Sequence, residues 1–514
     1  MAEVSRTARV IQNAKVALFF YCINLILQFF SRKIFLDYLG AELLGLNTTA
    51  QNLLQFLNLA ESGIGAAVAF ALYKPLSQKN RQEIIDIVSL QGWFYRWVGL
   101  FVIAGSIVLM AFFPWIFAKA DVPLIYAYAT FIAFLIAALL GYFVNYKMIV
   151  LSADQKEYKI TIETQSIKVI KVLIQMLAIW KLPHGYVWWI GLEVLAALIN
   201  SIRLVYCVNK EYPWLETNIS KGKYLNDQYP LILVKIKQLF FHKIGGYVLF
   251  QSTPLIIFGF TSLTWVAIYG NYFILMVGCL MLVEAVFRGL SAGVGNLVAE
   301  GDIKLIKSIF WQIVTARLFL AGLICSGILS LSENFVILWV GEKYILPTSP
   351  LLIMTMIFFI QMTRTCDIFL SAYGLFQDIW APFVESFLNI SLSILLGYFW
   401  GLTGILMGVL ISQVLIVNSW KPYFLYSYGF NQKIFEYIVL YTKKIFLLLL
   451  TTFVSMYLFE TTYETTSLNI VSWISNAVFY ILTYFFIGSI FFLVFDSSYR
   501  LLVRKIWSSI LTRG

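Results

Sequence analysis

Apolar stretches separated by short polar segments fill almost the whole chain. Each stretch approaches or exceeds the roughly 20 apolar residues that a membrane-spanning helix needs. The fourteen stretches lie near residues 13–36, 43–73, 87–113, 124–151, 160–181, 186–209, 238–262, 265–299, 306–331, 349–373, 379–399, 401–426, 438–459 and 468–496. This pattern predicts an all-α polytopic membrane protein with about fourteen transmembrane helices.

The basic residues predict which side of the membrane each connecting segment faces. Cytoplasmic loops of membrane proteins carry an excess of Lys and Arg. With a cytoplasmic N-terminus, the inner segments hold 25 basic residues and the outer segments hold 5. The alternation therefore predicts an even number of spans, with both termini in the cytoplasm.

A short internal repeat predicts that the spans form two halves. The segment from Ser62 to Ala69 matches the segment from Ala292 to Ala299 in its two glycines and its Val-Ala ending. The copies lie on the second and eighth spans, which indicates two parallel six-helix lobes, as in some transporters. Small residues at this spacing also favour close helix packing, and both interpretations are compatible. The predicted divisions are an N-terminal lobe over 1–209, a cytoplasmic amphipathic connector over 210–237, a C-terminal lobe over 238–426, and two further spans with a basic tail over 427–514.

Composition excludes several other classes of protein. The 514 residues are 61% hydrophobic and 12% charged, about half the charged share of a soluble domain, so large aqueous domains are excluded. The net charge of +11 follows from the basic inner segments and does not indicate a nucleic-acid partner. The two histidines lie far apart, the five cysteines are isolated and no P-loop motif occurs. We therefore expect no metal site, no cofactor and no ATPase activity of the chain's own.

Charged side chains inside the predicted spans are the candidate functional residues. An Arg, Lys or Asp at the bilayer centre costs about 2.5–3.5 kcal/mol on insertion scales, so these groups should face a helix-bundle interior or a water-filled cavity. The basic residues are Arg96, Lys168, Lys171, Lys243, Arg288, Arg317 and Arg364, and the acidic ones are Glu61, Glu163, Glu193, Glu284, Asp367 and Glu385. The spacings of Glu284 with Arg288 and of Arg364 with Asp367 fit intrahelical ion pairs as well as they fit a substrate role.

The fifth span carries a polar stripe. Thr164, Lys168, Lys171 and Gln175 recur at helical spacing and therefore share one face. No acidic residue lies three or four positions from either lysine. Two lysines without a local partner favour a cavity that attracts anions, and the alternative is a structural ion pair with another helix.

The segment from Ser31 to Leu76 carries a recognisable motif. It reads SRKIFLDYLGAELLGLNTTAQNLLQFLNLAESGIGAAVAFALYKPL, with Tyr-Leu-Gly, an acidic residue and Leu-Gly-Leu before an Ala-Glu-x-Gly-x-Gly helix. It resembles the Wzx-type bacterial polysaccharide and O-antigen repeat-unit flippases, in the polysaccharide transporter family of the multidrug, oligosaccharidyl-lipid and polysaccharide exporter superfamily. The resemblance implies an alternating-access transporter of the bacterial inner membrane, driven by an ion gradient or the membrane potential. Its implied substrate is an undecaprenyl-diphosphate-linked oligosaccharide for surface polysaccharide such as lipopolysaccharide or capsule. A polysaccharide polymerase and its chain-length machinery are implied partners.

The same resemblance implies a role for the first span. Ser31-Arg32 matches a Ser-Arg pair that lines the cavity of the related lipid II flippases, whereas Tyr38 stands where those proteins have a second Arg. The implied place of Arg32 is therefore a cavity rather than an outer loop. The candidate substrate-binding residues are Arg32, Arg96, Lys168, Lys171, Arg288, Arg317 and Arg364, and the candidate ion-coupling residues are Glu61, Glu284, Asp367 and Glu385.

Two other classes of function compete with this hypothesis. A multidrug or organic-cation antiporter of the same superfamily would need an acidic cavity. A membrane polysaccharide polymerase or lipid-linked glycosyltransferase would need a sizeable outer loop or an acidic motif at the outer surface. The predicted outer loops are short, and Asp37 and Glu42 are the clustered outer acids early in the chain, so the enzyme hypothesis is the weakest of the three.

Overall fold

The computed structural model describes residues 6–118, 120–287, 290–375, 377–378, 380–462 and 469–511. All regular secondary structure over these residues is helical. Ten of the described helices are long and apolar enough to cross a membrane, and one bent pair adds an eleventh. The predicted all-α membrane fold is confirmed, whereas the count of fourteen spans and the cytoplasmic placement of the termini stay predictions.

The chain divides into two compact units, residues 1–267 and residues 268–514. The division falls within helix α12. The helices that begin in the first unit are α1 (Arg6–Tyr38), α2 (Gly40–Asn58), α3 (Ile64–Gln78), α4 (Arg81–Ala111), α5 (Phe113–Ile116), α6 (Leu124–Phe143), α7 (Ile149–Ala153), α8 (Glu157–Lys181), α9 (Gly185–Glu211), α10 (Gly222–Gln228), α11 (Pro230–Phe260) and α12 (Leu263–Phe287). Those that begin in the second unit are α13 (Leu290–Glu300), α14 (Ile303–Trp339), α15 (Thr348–Met362), α16 (Thr365–Ala372), α17 (Trp380–Gln413), α18 (Lys421–Phe424), α19 (Phe435–Thr462), α20 (Ile470–Phe495) and α21 (Ser497–Leu511).

The predicted connector is not a separate interfacial helix in the described structure. Residues 210–237 hold the short helix α10 and the first turns of α11. Pro230 is the first residue of α11, a position where its missing N–H is tolerated. The amphipathic stretch that follows therefore continues directly into a helix of span length. The lobe boundaries predicted from the sequence remain a prediction.

The two copies of the sequence repeat differ in local structure. The first copy begins at the break before α3, where Gly63 has a φ of 101°, whereas the second lies inside α13. Both helices end at a residue with positive φ, Lys79 after α3 and Gly301 after α13, and Asn80 and Asp302 cap the helices that follow. The shift of 230 residues that aligns the two copies does not align these caps, so the repeat stays a feature of the sequence segment alone.

Helix α17 reverses direction at Gly401, whose φ of 55° and ψ of −134° are not helical. A Cβ on Gly404 would lie 2.0 Å from the carbonyl oxygen of Leu396, and one on Gly408 would lie 2.3 Å from the backbone nitrogen of Ser393. These pairings run in opposite directions along the chain, so the two segments form an antiparallel hairpin. Glycine lets their backbones touch without an intervening side chain.

A buried ion pair attaches the last two spans to the second unit. Lys444 of α19 pairs with Asp496, which follows α20, and Lys444 Nζ also donates to Thr315 Oγ1 of α14 at 2.6 Å. Both charged side chains are at least 94% buried. Removing one partner would leave a buried charge unpaired, which is strongly unfavourable. The pair therefore ties α19 and the end of α20 to α14.

The α17 hairpin makes a testable stability prediction. We expect Gly408→Ala to lower the thermal melting temperature of the detergent-solubilised protein by several degrees, because the added methyl group would overlap the backbone of Ser393. Gly191→Ala is the matched control, since nothing lies within 4 Å of the added carbon there. Equal melting temperatures for the two variants would contradict the close backbone approach.

Candidate functional site

A polar cavity of about 220 Å³ lies within the first unit, between α1, α2, α8 and α9. Its polar lining residues are Asn24, Gln28, Ser31, Arg32 and Lys168, and its apolar ones are Leu27, Phe35, Leu44, Val172 and Trp189. This lining contains two cationic side chains and no carboxylate. The cavity therefore favours an anionic group over a cationic one.

Helix α1 supplies one wall of this cavity. Asn24, Gln28, Ser31 and Arg32 recur at helical spacing, so they lie on one face of α1. Asn24 Nδ2 donates to Gln165 Oε1 on α8 at 3.0 Å, which joins the polar faces of the two helices. Our sequence interpretation missed Asn24 and Gln28. They precede Ser31 and Arg32 at helical spacing, which is the same pattern that identified the polar stripe on α8.

Arg32 lies within α1 and lines the cavity, as the resemblance implies. One guanidinium nitrogen, Nη2, donates to the carbonyl oxygen of Ala267 at 2.9 Å. That bond holds the guanidinium against the first turns of α12. The planar guanidinium has five N–H donors and matches phosphate geometry.

Lys168 is the second cation of the cavity and comes from α8. Its ammonium group makes no ion pair or hydrogen bond with any residue that the structure describes. Glu193 on α9 influences it electrostatically, but both oxygens of that carboxylate already bind Lys171. The positive charge of Lys168 is therefore available to a ligand in the cavity.

Lys171 differs from Lys168, although both belong to the predicted stripe. Its Nζ lies 2.8 Å from both carboxylate oxygens of Glu193, and Gln175 Nε2 donates to Glu193 Oε1 at 3.1 Å. Gln175 also donates to the carbonyl of Trp189 at 3.0 Å. For Lys171 the structure has the alternative interpretation, a structural ion pair with another helix, because a carboxylate on the neighbouring helix neutralises it.

Arg96 and Glu61 do not line this cavity. Glu61 lies beside the break between α2 and α3, where Tyr95 donates its hydroxyl to Glu61 Oε1 at 2.7 Å. Arg96 lies on an exposed part of α4. Arg288 and the side chain of Lys243 fall outside the residues that the structure describes.

The second unit gathers most of the other candidates into one ionic network. Arg317 of α14 is buried, and its Nη1 donates to Glu284 Oε1 at 3.1 Å and to the carbonyl of Met362 at 3.2 Å. The guanidinium also lies 4.7 Å from the centre of the Phe287 ring. Met362 ends α15, so Arg317 satisfies a carbonyl that the helix break leaves free.

Asp367 occupies the other side of that break and binds two cations. Arg364 Nε lies 2.7 Å from Asp367 Oδ2, and Lys421 Nζ pairs with Oδ1 of the same carboxylate. Arg364 also donates to Gln361 Oε1 at 3.1 Å. The ion pair between Arg364 and Asp367, one of the two interpretations of their spacing, is present, but it lies at the start of α16 rather than inside a continuous helix.

Lys421 belongs to the network although it is one of the 25 basic residues counted with the inner segments, near the end of the stretch 401–426. It begins the short helix α18, which π-helical turns over Val414–Trp420 and Leu425–Gly429 flank on both sides. Such turns are frequent at functional sites. Pro422 lies in the first turn of α18, between the two π-helical segments. No periodicity in the sequence indicates these turns.

Glu385 of α17 lies beside the network without a direct bond to it. Its side chain is 97% buried and interacts electrostatically with Arg364, Lys421 and Asp367. One carboxylate oxygen, Oε1, has no hydrogen-bond partner among the residues that the structure describes. A buried acid beside broken helices is typical of a proton or cation site in transporters.

Metal coordination by the protein has no support in the described part of the chain. No group of three or more His, Cys, Asp and Glu side chains there is arranged to hold a metal ion.

Comparison with known proteins identifies the fold. No family model and no curated protein matches the chain. Two solved structures share its fold. The lipid II flippase MurJ in an inward closed conformation has a TM-score of 0.60 and 16% identity over 94% of this chain and 99% of that chain. An inward-facing multidrug resistance MATE family transporter of the MOP superfamily has a TM-score of 0.61 and 10% identity over 80% of this chain and 97% of that chain. The chain therefore has the fold of these membrane transporters.

The pairing of Lys171 with Glu193 makes a prediction about stability. We expect Lys171→Met and Glu193→Gln each to destabilise the protein by about 1–3 kcal/mol, because each leaves a partly buried charged or polar group without its partner. The double variant should recover most of that loss, which a double-mutant cycle on thermal unfolding in detergent would measure. Additive losses would contradict a structural ion pair.

Proposed function

We propose that the protein is a flippase that moves undecaprenyl-diphosphate-linked oligosaccharide repeat units across the bacterial inner membrane for surface polysaccharide synthesis. The observation that carries this proposal is the cationic cavity of the first unit, where Lys168 has no partner among the described residues. The transporter fold and the resemblance of residues 31–76 to polysaccharide flippases support it.

The cavity chemistry fits a diphosphate. Arg32 offers a planar donor group and Lys168 a compact positive charge, and both bind phosphate oxygens through charge-assisted hydrogen bonds. Asn24, Gln28 and Ser31 add neutral hydrogen-bonding groups to the lining. The volume of about 220 Å³ is below the about 300–1,000 Å³ of sites for drug-sized ligands. In the described conformation the cavity therefore has room for the diphosphate and not for the attached oligosaccharide.

Alternating access is the proposed mechanism. The diphosphate binds Arg32 and Lys168, the sugars follow it through the protein, and the polyprenyl chain stays in the lipid beside α19 and α20. Their outer surfaces are apolar, with Phe453 and Phe486 among the most exposed side chains. Burying the diphosphate against two cations lowers the cost of moving its charge through a low-dielectric region.

The ionic network of the second unit is the proposed site of coupling to an ion gradient. The sequence gives four candidate acids, and their carboxylates have different partners in the structure. Asp367 binds two cations, Glu284 binds Arg317, and Glu61 accepts a hydrogen bond from Tyr95. Glu385 retains an unbonded oxygen in a buried position. We therefore rank Glu385 first as the group that takes up and releases the coupling ion.

An organic-cation antiporter is the second candidate, since the MATE transporter has nearly the same structural similarity to this chain as the lipid II flippase has. The two cations of the first-unit cavity would repel a cationic drug. Drug resistance conferred on a host that lacks its own pumps would favour the antiporter. A polysaccharide polymerase or glycosyltransferase is disfavoured, because both structural neighbours are transporters.

The flippase proposal predicts a specific role for Lys168. We expect Lys168→Gln to lower surface polysaccharide by about tenfold in cells that depend on this protein, since one charge-assisted contact contributes about 1.5–3 kcal/mol. Lys168→Arg should retain most of the activity because it keeps the charge. Lys181→Gln, an exposed position at the end of the same helix, is the matched control. All values are normalised to membrane-inserted protein, and full activity of Lys168→Gln would refute the assignment.

The coupling proposal predicts a different effect for Glu385. Flipping by the purified protein in vesicles should rise with an imposed proton or sodium gradient, and Glu385→Gln should remove this response while substrate binding persists. Glu333→Gln, an exposed acid on α14, is the control. If Glu385→Gln vesicles respond to the gradient like the unmodified protein, Glu385 is not the coupling group.

A further inference from the structure

A second polar cavity lies in the first unit, apart from the one assigned to the substrate. It has a volume of about 260 Å³ and lies between the end of α6, the turn over residues 144–148 and the last turns of α9. Asn145, Lys147 and Asn209 contribute polar groups, while Phe143 and Val208 are among its apolar lining residues. It shares no lining residue with the substrate cavity.

Lys147 supplies a positive charge at this cavity. Its Nζ is 3.4 Å from the carbonyl oxygen of Leu215, a long contact, and it has no carboxylate partner among the described residues. Asn145 is buried and accepts a hydrogen bond from Ser201 at 2.9 Å, so the wall around the lysine is fixed.

Arg96 of α4 lies on the face that meets the same turn. A Cβ on Gly92 would lie 2.9 Å from the Tyr146 ring, and one on Gly99 would lie 2.5 Å from the Phe143 ring. Residues 92, 96 and 99 share one face of a helix, so the Arg96 side chain begins between these two contacts. Arg96 also influences Tyr146 electrostatically, is exposed, and has no ion-pair partner in the described part of the chain.

Arg96 lies about one helical turn from a loop on the side that the basic residues assign to the cytoplasm. This loop, before α10, packs against the preceding turn of α4, where the backbone N–H of Asn218 donates to Ser89 Oγ at 2.9 Å and Ile219 adjoins Gly92. Arg96 is about 6 Å further along the helix than Gly92. Because a long Arg side chain extends toward the membrane interface, its guanidinium can reach a phosphate group of the inner leaflet.

We propose that this cavity, with Arg96 and Lys147, binds the phosphate-bearing headgroup of an anionic phospholipid of the inner leaflet. Basic pockets between spanning helices on the cytoplasmic side suit such headgroups. Exposed apolar side chains line it, with Phe143 38% and Val144 39% exposed, and these provide a surface for the acyl chains. A soluble anion would gain the charges but not this apolar surface.

The test measures lipid retention by native mass spectrometry on the intact protein in detergent, after equilibration with phosphatidylglycerol or phosphatidylcholine. We expect the unmodified protein to retain phosphatidylglycerol preferentially. The Arg96→Gln/Lys147→Gln double variant should lose that preference at least several-fold. Lys221→Gln/Lys223→Gln removes the same charge from exposed positions on the same side of the unit and should leave the preference unchanged.

Further variants and competing ligands distinguish lipid binding from the binding of other phosphates and from misfolding of the protein. Val205→Phe should fill the cavity and keep both charges, and it should also reduce phosphatidylglycerol retention. The double variant Arg96→Lys/Lys147→Arg keeps both charges in an open cavity and should bind phosphatidylglycerol like the unmodified protein. Unchanged retention in the glutamine double variant would overturn the proposal. Displacement of the lipid by millimolar inorganic phosphate, or by the diphosphate-linked substrate, would also overturn it. Displacement by inorganic phosphate would show that the cavity is a free-phosphate site. Displacement by the diphosphate-linked substrate would show that the cavity belongs to the transport path.

Discussion

A charged side chain inside a bilayer must find an opposite charge, a hydrogen-bonding partner or a ligand, and this constraint organises the structure. Arg317 binds Glu284, Asp367 binds Arg364 and Lys421, and Lys171 binds Glu193. Each of these pairs lowers the cost of holding ions away from water. Two of the exceptions are informative for transport, because Lys168 and one oxygen of Glu385 have no partner among the described residues.

The two units use this constraint in different ways. In the first unit, a cavity lined by two cations and no acid has an excess of positive charge that an anion can neutralise. The network of the second unit contains equal numbers of basic and acidic residues, namely Arg317, Arg364 and Lys421 with Glu284, Asp367 and Glu385. A balanced network is suited to a small cation or a proton, whose entry changes the net charge by one. This difference underlies our assignment of the substrate to one unit and of ion coupling to the other.

Some of this architecture can be predicted from the sequence because it depends on local pattern. Apolar stretches predict spanning helices, the stripe on α8 predicts a polar face, and the spacing of Arg364 and Asp367 is compatible with their pairing. Contacts between helices are not encoded in spacing, so the sequence could not show that Glu193 neutralises Lys171. Lys444 and Asp496 lie near the ends of the apolar stretches 438–459 and 468–496 and are among the residues counted with the inner segments, yet tertiary packing buries them. Lys421 was missed for a similar reason, since its place depends on the irregular helix around Pro422.

Site-specific photo-crosslinking in cells shows whether the cationic cavity of the first unit binds a diphosphate-linked glycolipid. A photoreactive amino acid replaces Gln28, which lines the cationic cavity, or Ile202, which is 68% exposed on α9 and does not line it. We expect a covalent adduct with a diphosphate-linked glycolipid at position 28, and none carrying the sugar-diphosphate headgroup at position 202. If an active protein forms no such adduct at position 28, or crosslinks an organic cation there instead, the cavity is not the substrate site of a flippase.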